Sequence, residues 1–279
     1  MSSPDPRPRL GLPLLATEIA VLFRRKRTWA MLLALAAVPV LVGVAIRISS
    51  GPDSGRGPSF LSQIAGNGLF VGVASLVLAI PLFLPLTVGV VAGDTIAGEA
   101  AQGTLRYLLV APAGRVRLLV VKFLGAAVFC FAAPLAVVIA GTLTGFALFP
   151  IGPVTLLSGD QVGVAEGLLR LLVLALYVGV AMLGLTAVGL FVSTLTDVPV
   201  GAMAATVVLA VTSQVLDQLP QLEAIHPFLL SDSWLGVVDL LRQPPEWSTF
   251  GANALLQLGY VVVFGALAHG RFTTRDVLA

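Results

Sequence analysis

The chain has 279 residues, of which 57% are hydrophobic and 11% charged, with a mean hydropathy of +1.00 and a net charge of +2. A soluble domain carries roughly 25% charged residues, so this composition excludes one and describes an integral membrane protein. The net charge by itself says nothing about nucleic acid, and no nucleic-acid partner is expected; the single cysteine, Cys130, excludes an intrachain disulfide.

In chain order, residues 1–9 are rich in Pro, Ser and Arg, a composition that favours disorder. From Leu10 to Arg27, Leu14, Leu15, Ile19, Leu22 and Phe23 recur at helical spacing, with Glu18 opposite and the run Arg24, Arg25, Lys26, Arg27 at the end. That pattern suits an amphipathic helix on a membrane surface, its basic end held by anionic headgroups, or simply the basic flank of a first span. Residues 1–27 thus read as a tail and an interfacial helix, and residues 28–279 as a transmembrane domain.

Charge-free runs long enough for a helix of about 20 apolar residues place six spans near 28–48, 69–92, 121–146, 169–193, 198–216 and 251–269. The expected class is all-α and polytopic. Pro39, Pro81, Pro85 and Pro134 each remove a backbone hydrogen bond and kink their helices. Glycines four apart at Gly68/Gly72, Gly89/Gly93 and Gly141/Gly145 permit close helix approach, although the glycine content alone produces some such pairs. No Asp, Glu, Lys or Arg lies mid-span, which argues against a proton-coupled carrier. Embedded polarity is limited to groups such as Thr186, Thr206 and Gln214, suited to helix packing or to contact with a substrate.

Two 37-residue runs without charge, Gly57–Gly93 and Phe123–Gly159, flank a charged island from Asp94 to Lys122. Hydrocarbon excludes unpaired charges at roughly 2.5–3.5 kcal/mol each, so residues 94–120 read as an aqueous loop. A second connection, 217–250, carries Pro220, Pro227, Pro244, Pro245, Trp234 and Trp247, and reads as an outer loop with a lid or re-entrant element.

An even span count puts both termini on one side. With the termini inside, the inner segments hold Arg7, Arg9, Arg24, Arg25, Lys26, Arg27, Arg106, Arg115, Arg117, Lys122, Arg271 and Arg275, and the outer ones only Arg47, Arg56, Arg170 and Arg242. The positive-inside rule therefore makes both termini cytoplasmic. The excess of Arg over Lys and the abundance of Ala hint at a GC-rich bacterial genome.

Catalytic signatures are absent from the sequence. There is no GxxxxGK[ST] phosphate loop, no HExxH, CxxC or GxSxG, and the only histidines, His226 and His269, flank spans. The chain reads as non-enzymatic, without a metal site or cofactor of its own.

The island, DTIAGEAAQGTLRYLLVAPAGRVRLLVVKFLGA, resembles the first cytoplasmic loop of type-2 permeases of ATP-binding cassette (ABC) exporters: an acid, a spacer, Gly-Thr-Leu, an apolar turn, then Pro, Arg and Lys. Here these are Glu99, Gly103, Thr104, Leu105, Leu108, Leu109, Pro112, Arg115 and Lys122. Leu105, Leu108 and Leu109 share one face of a short helix with Arg106 turned away, forming an apolar knob that either rests on headgroups or seeks a groove on a partner. The resemblance implies a coupling helix docking on a separate ATPase, which binds ATP and Mg. It also implies a second permease copy or paralogue, and a location in the cell membrane. Under it, Glu99, Gly103, Thr104, Leu105, Arg106, Leu108 and Leu109 form the coupling interface, Gly98 and Gly103 allow sharp turns, and Arg24 to Arg27 anchor the membrane surface. The alternative is a non-transporting assembly or sensor protein that binds a cytosolic partner through residues 94–117. The substrate, amphiphilic at most by the character of the spans, is not written in the sequence.

Overall fold

Pro81 breaks an apolar run into two helices, whereas Pro39 and Pro134 lie inside unbroken ones. The structure, a computed structural model, describes residues 12–49, 67–104, 114–152, 154–155, 161–242 and 246–274. Helix α1 (Leu12–Arg24) ends in a bend at Arg25, and α2 (Lys26–Ser49) follows with Pro39 inside it. The Thr28 hydroxyl and Trp29 indole donate to the carbonyls of Leu22 and Phe23, both at 2.7 Å, so the first turn of α2 caps the end of α1.

The expected span 69–92 is two helices, α3 (Leu69–Ala79) and α4 (Phe83–Ala101). Pro81 separates them, having no N–H to donate and a ring that clashes with the preceding turn. At 1.5 Å per residue α3 reaches roughly 16 Å, about half of the hydrocarbon thickness, whereas the 19 residues of α4 are long enough to cross. Helix α4 also runs on through Asp94 and Glu99, so the charged segment starts as helix and the loop expected from residue 94 opens only after Gln102.

Helix α5 (Arg115–Leu148) is followed by a small antiparallel hairpin, β1 (Val154–Thr155) with β2 (Gln161–Val162). Helices α6 (Val164–Ala181) and α7 (Leu183–Leu195) adjoin at Met182 and form one apolar rod. Then come α8 (Pro199–Asp217), two 3₁₀ helices (Pro220–Phe228 and Trp234–Leu241) and α9 (Trp247–Thr274). Among the described residues, six rods are long and apolar enough to cross a membrane: Lys26–Ile48, Phe83–Ala101, Arg115–Leu148, Val164–Leu195, Pro199–Asp217 and Trp247–Phe272.

Helices α2, α3 and α6 pack on α5; α4 lies between α7 and α8; α9 runs along α7. Phe129, Val137, Tyr177, Val178, Met182 and Leu84 are buried at the centre, while Leu33 and Leu41 of α2, Val208 of α8 and Leu255 and Val262 of α9 face outward. Lipid tails are as apolar as leucine, so helix association there depends on close packing. The three glycine pairs supply it. Gly68 and Gly72 of α3 meet Gly145 and Gly141 of α5, and Gly89 and Gly93 of α4 meet Val207 and Met203 of α8. A Cβ on Gly141 would sit 2.6 Å from the Gly72 Cα, and one on Gly93 2.7 Å from the Met203 Cα.

The connection expected as an outer loop is largely folded. Leu230, Trp234, Val237 and Leu240 are buried, and the second 3₁₀ helix packs on α6 and α9. The Ser231 amide donates to Ser213 Oγ at 3.1 Å, and Tyr177 donates its hydroxyl to the Ser233 carbonyl.

Gly141→Leu should lower the melting temperature in detergent by the equivalent of about 1–3 kcal/mol, the usual scale of overpacking. Gly259→Ala, where an added Cβ meets nothing within 4 Å, should leave it unchanged or raise it slightly.

Candidate functional site

Three charges of the island, Asp94, Glu99 and Lys122, are paired with each other, with the N-terminal helix or with the bend and first turn that follow it. Asp94, on α4, accepts from Arg25 Nη1 at 2.8 Å and from Arg27 Nη2; its side chain is 11% exposed. One turn further along α4, Glu99 accepts from Lys122 Nζ at 2.9 Å, and Lys122 also reaches Glu18 of α1 at 3.0 Å. Lys122 is 5% exposed, so this lysine holds three elements together away from water. A buried lysine needs such partners, because removing its charge from water costs several kcal/mol unless paired and hydrogen-bonded. Glycines make the approach possible: a Cβ on Gly125 would sit 2.9 Å from Glu18 Cγ, and one on Gly98 2.7 Å from Asp94 Oδ1. Gly98 is therefore a close-packing position inside α4 rather than the turn expected of it.

A pocket of about 30 Å³ lies among Glu18, Arg25, Arg27, Asp94, Thr95 and Lys122, room for a water molecule. Its walls come from α1, α2, α4 and α5, so the pocket sits where the N-terminal helix meets the island.

Beyond Glu99 the chain turns. Thr104 donates its hydroxyl to the Glu99 carboxylate and its amide to the Glu99 carbonyl at 3.1 Å. Both Glu99 oxygens are thus engaged within the chain, one by Lys122 and one by Thr104. Gly103 and Gly114 have φ of 69° and 73°, a left-handed conformation that favours glycine, and they bracket residues 105–113. Leu105, Arg106, Leu108 and Leu109 lie outside the described residues, as does Pro112. On the far side of the segment, Arg115 Nη1 donates to the Phe272 carbonyl at 3.4 Å, which ties the start of α5 to the end of α9.

The four-residue basic run divides its work. Arg25 and Arg27 pair with Asp94, while Arg24 and Lys26 are exposed. Sequence reasoning did not bring Asp94, Glu18 and Lys122 together. The available signal was that Glu18 and Asp94 are acids close to basic residues on either side of an apolar span. Ser193 was missed altogether: its Oγ accepts from the amides of Ile96 and Ala97 at 2.9 and 2.8 Å, pinning α4 to α7 beside the junction. Of the embedded polar groups, Thr186 donates to the Met182 carbonyl at 3.0 Å and Thr206 to the Ala202 carbonyl at 2.8 Å, within their own helices.

Six membrane-crossing rods and an ion-paired junction at the base of a charged segment define an all-α, multi-pass membrane protein. The chain belongs to the ABC-2 transporter family: the family model described as "ABC-2 family transporter protein" matches residues 12–277. It is a permease subunit of an ABC transporter, in a family that works with an ABC ATPase partner and is in general not itself catalytic. No individual curated protein matches the chain.

Lys122→Ala leaves Glu18 and Glu99 facing each other without their cation. With those carboxylates partly exposed, the loss should be about 2–4 kcal/mol, near the low end of buried-pair truncation, measured as a lower melting temperature in detergent. Lys122→Ala combined with Glu99→Gln and Glu18→Gln should recover part of it.

Proposed function

We propose that this chain is the permease of an ABC exporter, moving an amphiphilic substrate, with ATP and Mg bound by a separate ATPase chain. The base of the 105–113 segment is the observation that supports this most. Glu99, Thr104 and Lys122 brace the end of α4 against α5, and Glu18 ties α1 to the same point. Transmission of work from a partner requires a stiff joint between the docking element and the spans, and discrete packed elements can supply one.

In this reading Leu105, Leu108 and Leu109 enter a groove of the ATPase, and Arg106 stays at the rim. Gly103 gives the segment its entry turn. In this reading this end of the bundle faces the cytoplasm, which the Lys/Arg bias supports, and the membrane is that of a bacterial cell, which the excess of Arg over Lys supports. A second permease, identical or paralogous, completes the path at the face between copies. Arg24 and Lys26 meet anionic headgroups beside the junction.

Gly103→Arg or Leu105→Asp should abolish substrate-stimulated ATP hydrolysis by the reconstituted complex and reduce co-purification of the ATPase. The permease melting temperature should stay within a few degrees of wild type. Retained co-purification with unchanged stimulated hydrolysis would refute the docking role. A permease that binds its partner normally but moves no amphiphile in either direction would instead favour the assembly or sensor function.

A further inference from the structure

Helix α4 carries an irregularity between its membrane-crossing part and the charged end that leads into residues 105–113. Inside an α-helix each amide donates to the carbonyl four residues back, which for Ile96 and Ala97 means the carbonyls of Ala92 and Gly93. Both amides reach an oxygen of another helix, Ser193 Oγ of α7, at 2.9 and 2.8 Å. An amide has a single hydrogen, so each bond to Ser193 weakens or replaces the one along α4. The Ala92 carbonyl is in turn taken by the Thr95 hydroxyl at 2.6 Å. A side chain inserted into the ladder in this way bends a helix, and α4 holds no proline beyond Pro85 that could do so.

The packing changes at the same level. Among the described residues, Leu84, Val88 and Val91 of α4 belong to the main core of the bundle, with Phe129, Tyr177 and Met182. Ile96 belongs to a second, small cluster with Leu118 and Leu119 of α5, Leu190 of α7 and Phe272 of α9. The charged end of the bundle thus has a core of its own, to which α5 contributes one turn before Lys122. Helix α4 passes from one core to the other between Val91 and Ile96. At that crossing it is gripped from two sides. A Cβ on Gly189 of α7 would sit 2.6 Å from the Ala92 Cβ, and one on Gly93 2.7 Å from the Met203 Cα of α8. Gly189 and Ser193 are one turn apart, so the face of α7 that grips α4 also supplies the oxygen.

We propose that Ser193 is a positioning residue for coupling: it forms the pivot on which the charged end of α4, with Glu99 and the start of the 105–113 segment, swings as one piece against the membrane-crossing part. The inference rests on the docking role proposed above. A held point, a loosened ladder and a change of core are what a hinge requires, because the backbone bends there while each side keeps the contacts of its own cluster. The ion pairs of Lys122 with Glu18 and Glu99 then move with the charged end, and Asp94, close to the pivot, is displaced least. Ser193 is fully buried, and its short side chain brings an acceptor to two consecutive amides with little added bulk.

Two measurements separate a pivot from an ordinary packing contact. In vesicles of phosphatidylethanolamine and phosphatidylglycerol, Ser193→Ala should lower the permease's stimulation of ATP hydrolysis over that of the isolated ATPase by about fivefold or more, the scale of a coupling between sites. Co-purification of the ATPase and the permease melting temperature should stay close to wild type. Ser193→Thr, which keeps the acceptor oxygen, should restore most of the stimulation. In the permease alone, spin labels at Ala101→Cys and Val208→Cys, both exposed positions, report the angle between the charged end and the bundle, while the buried Cys130 stays unlabelled. Ser193→Ala should shift their mean distance by about 4 Å, the swing of roughly 12 Å of helix through about 20°. An unchanged distance overturns the pivot whatever the hydrolysis shows, and a shifted distance with unchanged stimulation overturns its part in coupling. Parallel loss of stability and stimulation, with no rescue by Ser193→Thr, overturns it as well and marks a packing contact. The docking role fails separately: Leu105→Asp with co-purification and stimulation intact would remove that reading, and the distance measurement would still decide whether α4 hinges at Ser193.

Discussion

The bundle depends on how charge is accommodated where the second and third membrane rods approach each other. Lys122 sits almost fully buried and would be untenable alone; Glu99 and Glu18 make it tenable and in doing so join α4, α5 and α1. Asp94 does the converse, an acid in a membrane helix neutralised by Arg25 of the bend and Arg27 in the first turn of α2. Because these partners come from different elements, the charges that would be expelled from lipid become the joint that fixes the N-terminal helix to the base of the segment a partner would engage.

Away from this joint, cohesion comes from steric fit. The glycines on α3 and α5 face each other, and those on α4 face α8, so backbones approach at distances a side chain would prevent. Ser193 adds a polar contact, accepting from two amides of α4. The helices nearest the junction are therefore stiff laterally, whereas the outer faces of α2, α8 and α9 are apolar and open to lipid or to another subunit. The start of the 105–113 segment in the stiff part and an apolar groove on the opposite flank of α5 make that one helix common to both. It lends Val116 and Val120 to the groove and Lys122, two turns from its start, to the joint.

Much of the class was legible in the sequence because bilayer hydrocarbon imposes a one-dimensional rule. A span needs about 20 mostly apolar residues, and among the described residues six rods are long and apolar enough. The motif Glu99, Gly103, Thr104 and Lys122 was legible as well, and its family is the one the chain belongs to. Less visible was the break at Pro81: one apolar run covers 69–92, and composition alone does not say that the first half stops short while the second continues past Asp94. The connection after α8 was read as loop because of its prolines and charges, yet its apolar residues fold back against α6 and α9.

The sequence by itself determined a multi-pass, all-α protein, since transfer of each residue between water and lipid depends on its own chemistry and on its neighbours along the chain. Only the tertiary structure decided which charges belong together. Glu18 and Lys122 are 104 residues apart and Arg25 and Asp94 are 69 apart, separations that local pattern cannot bridge. Pairing across such distances is set by helix packing, and that packing turns on which glycine faces meet.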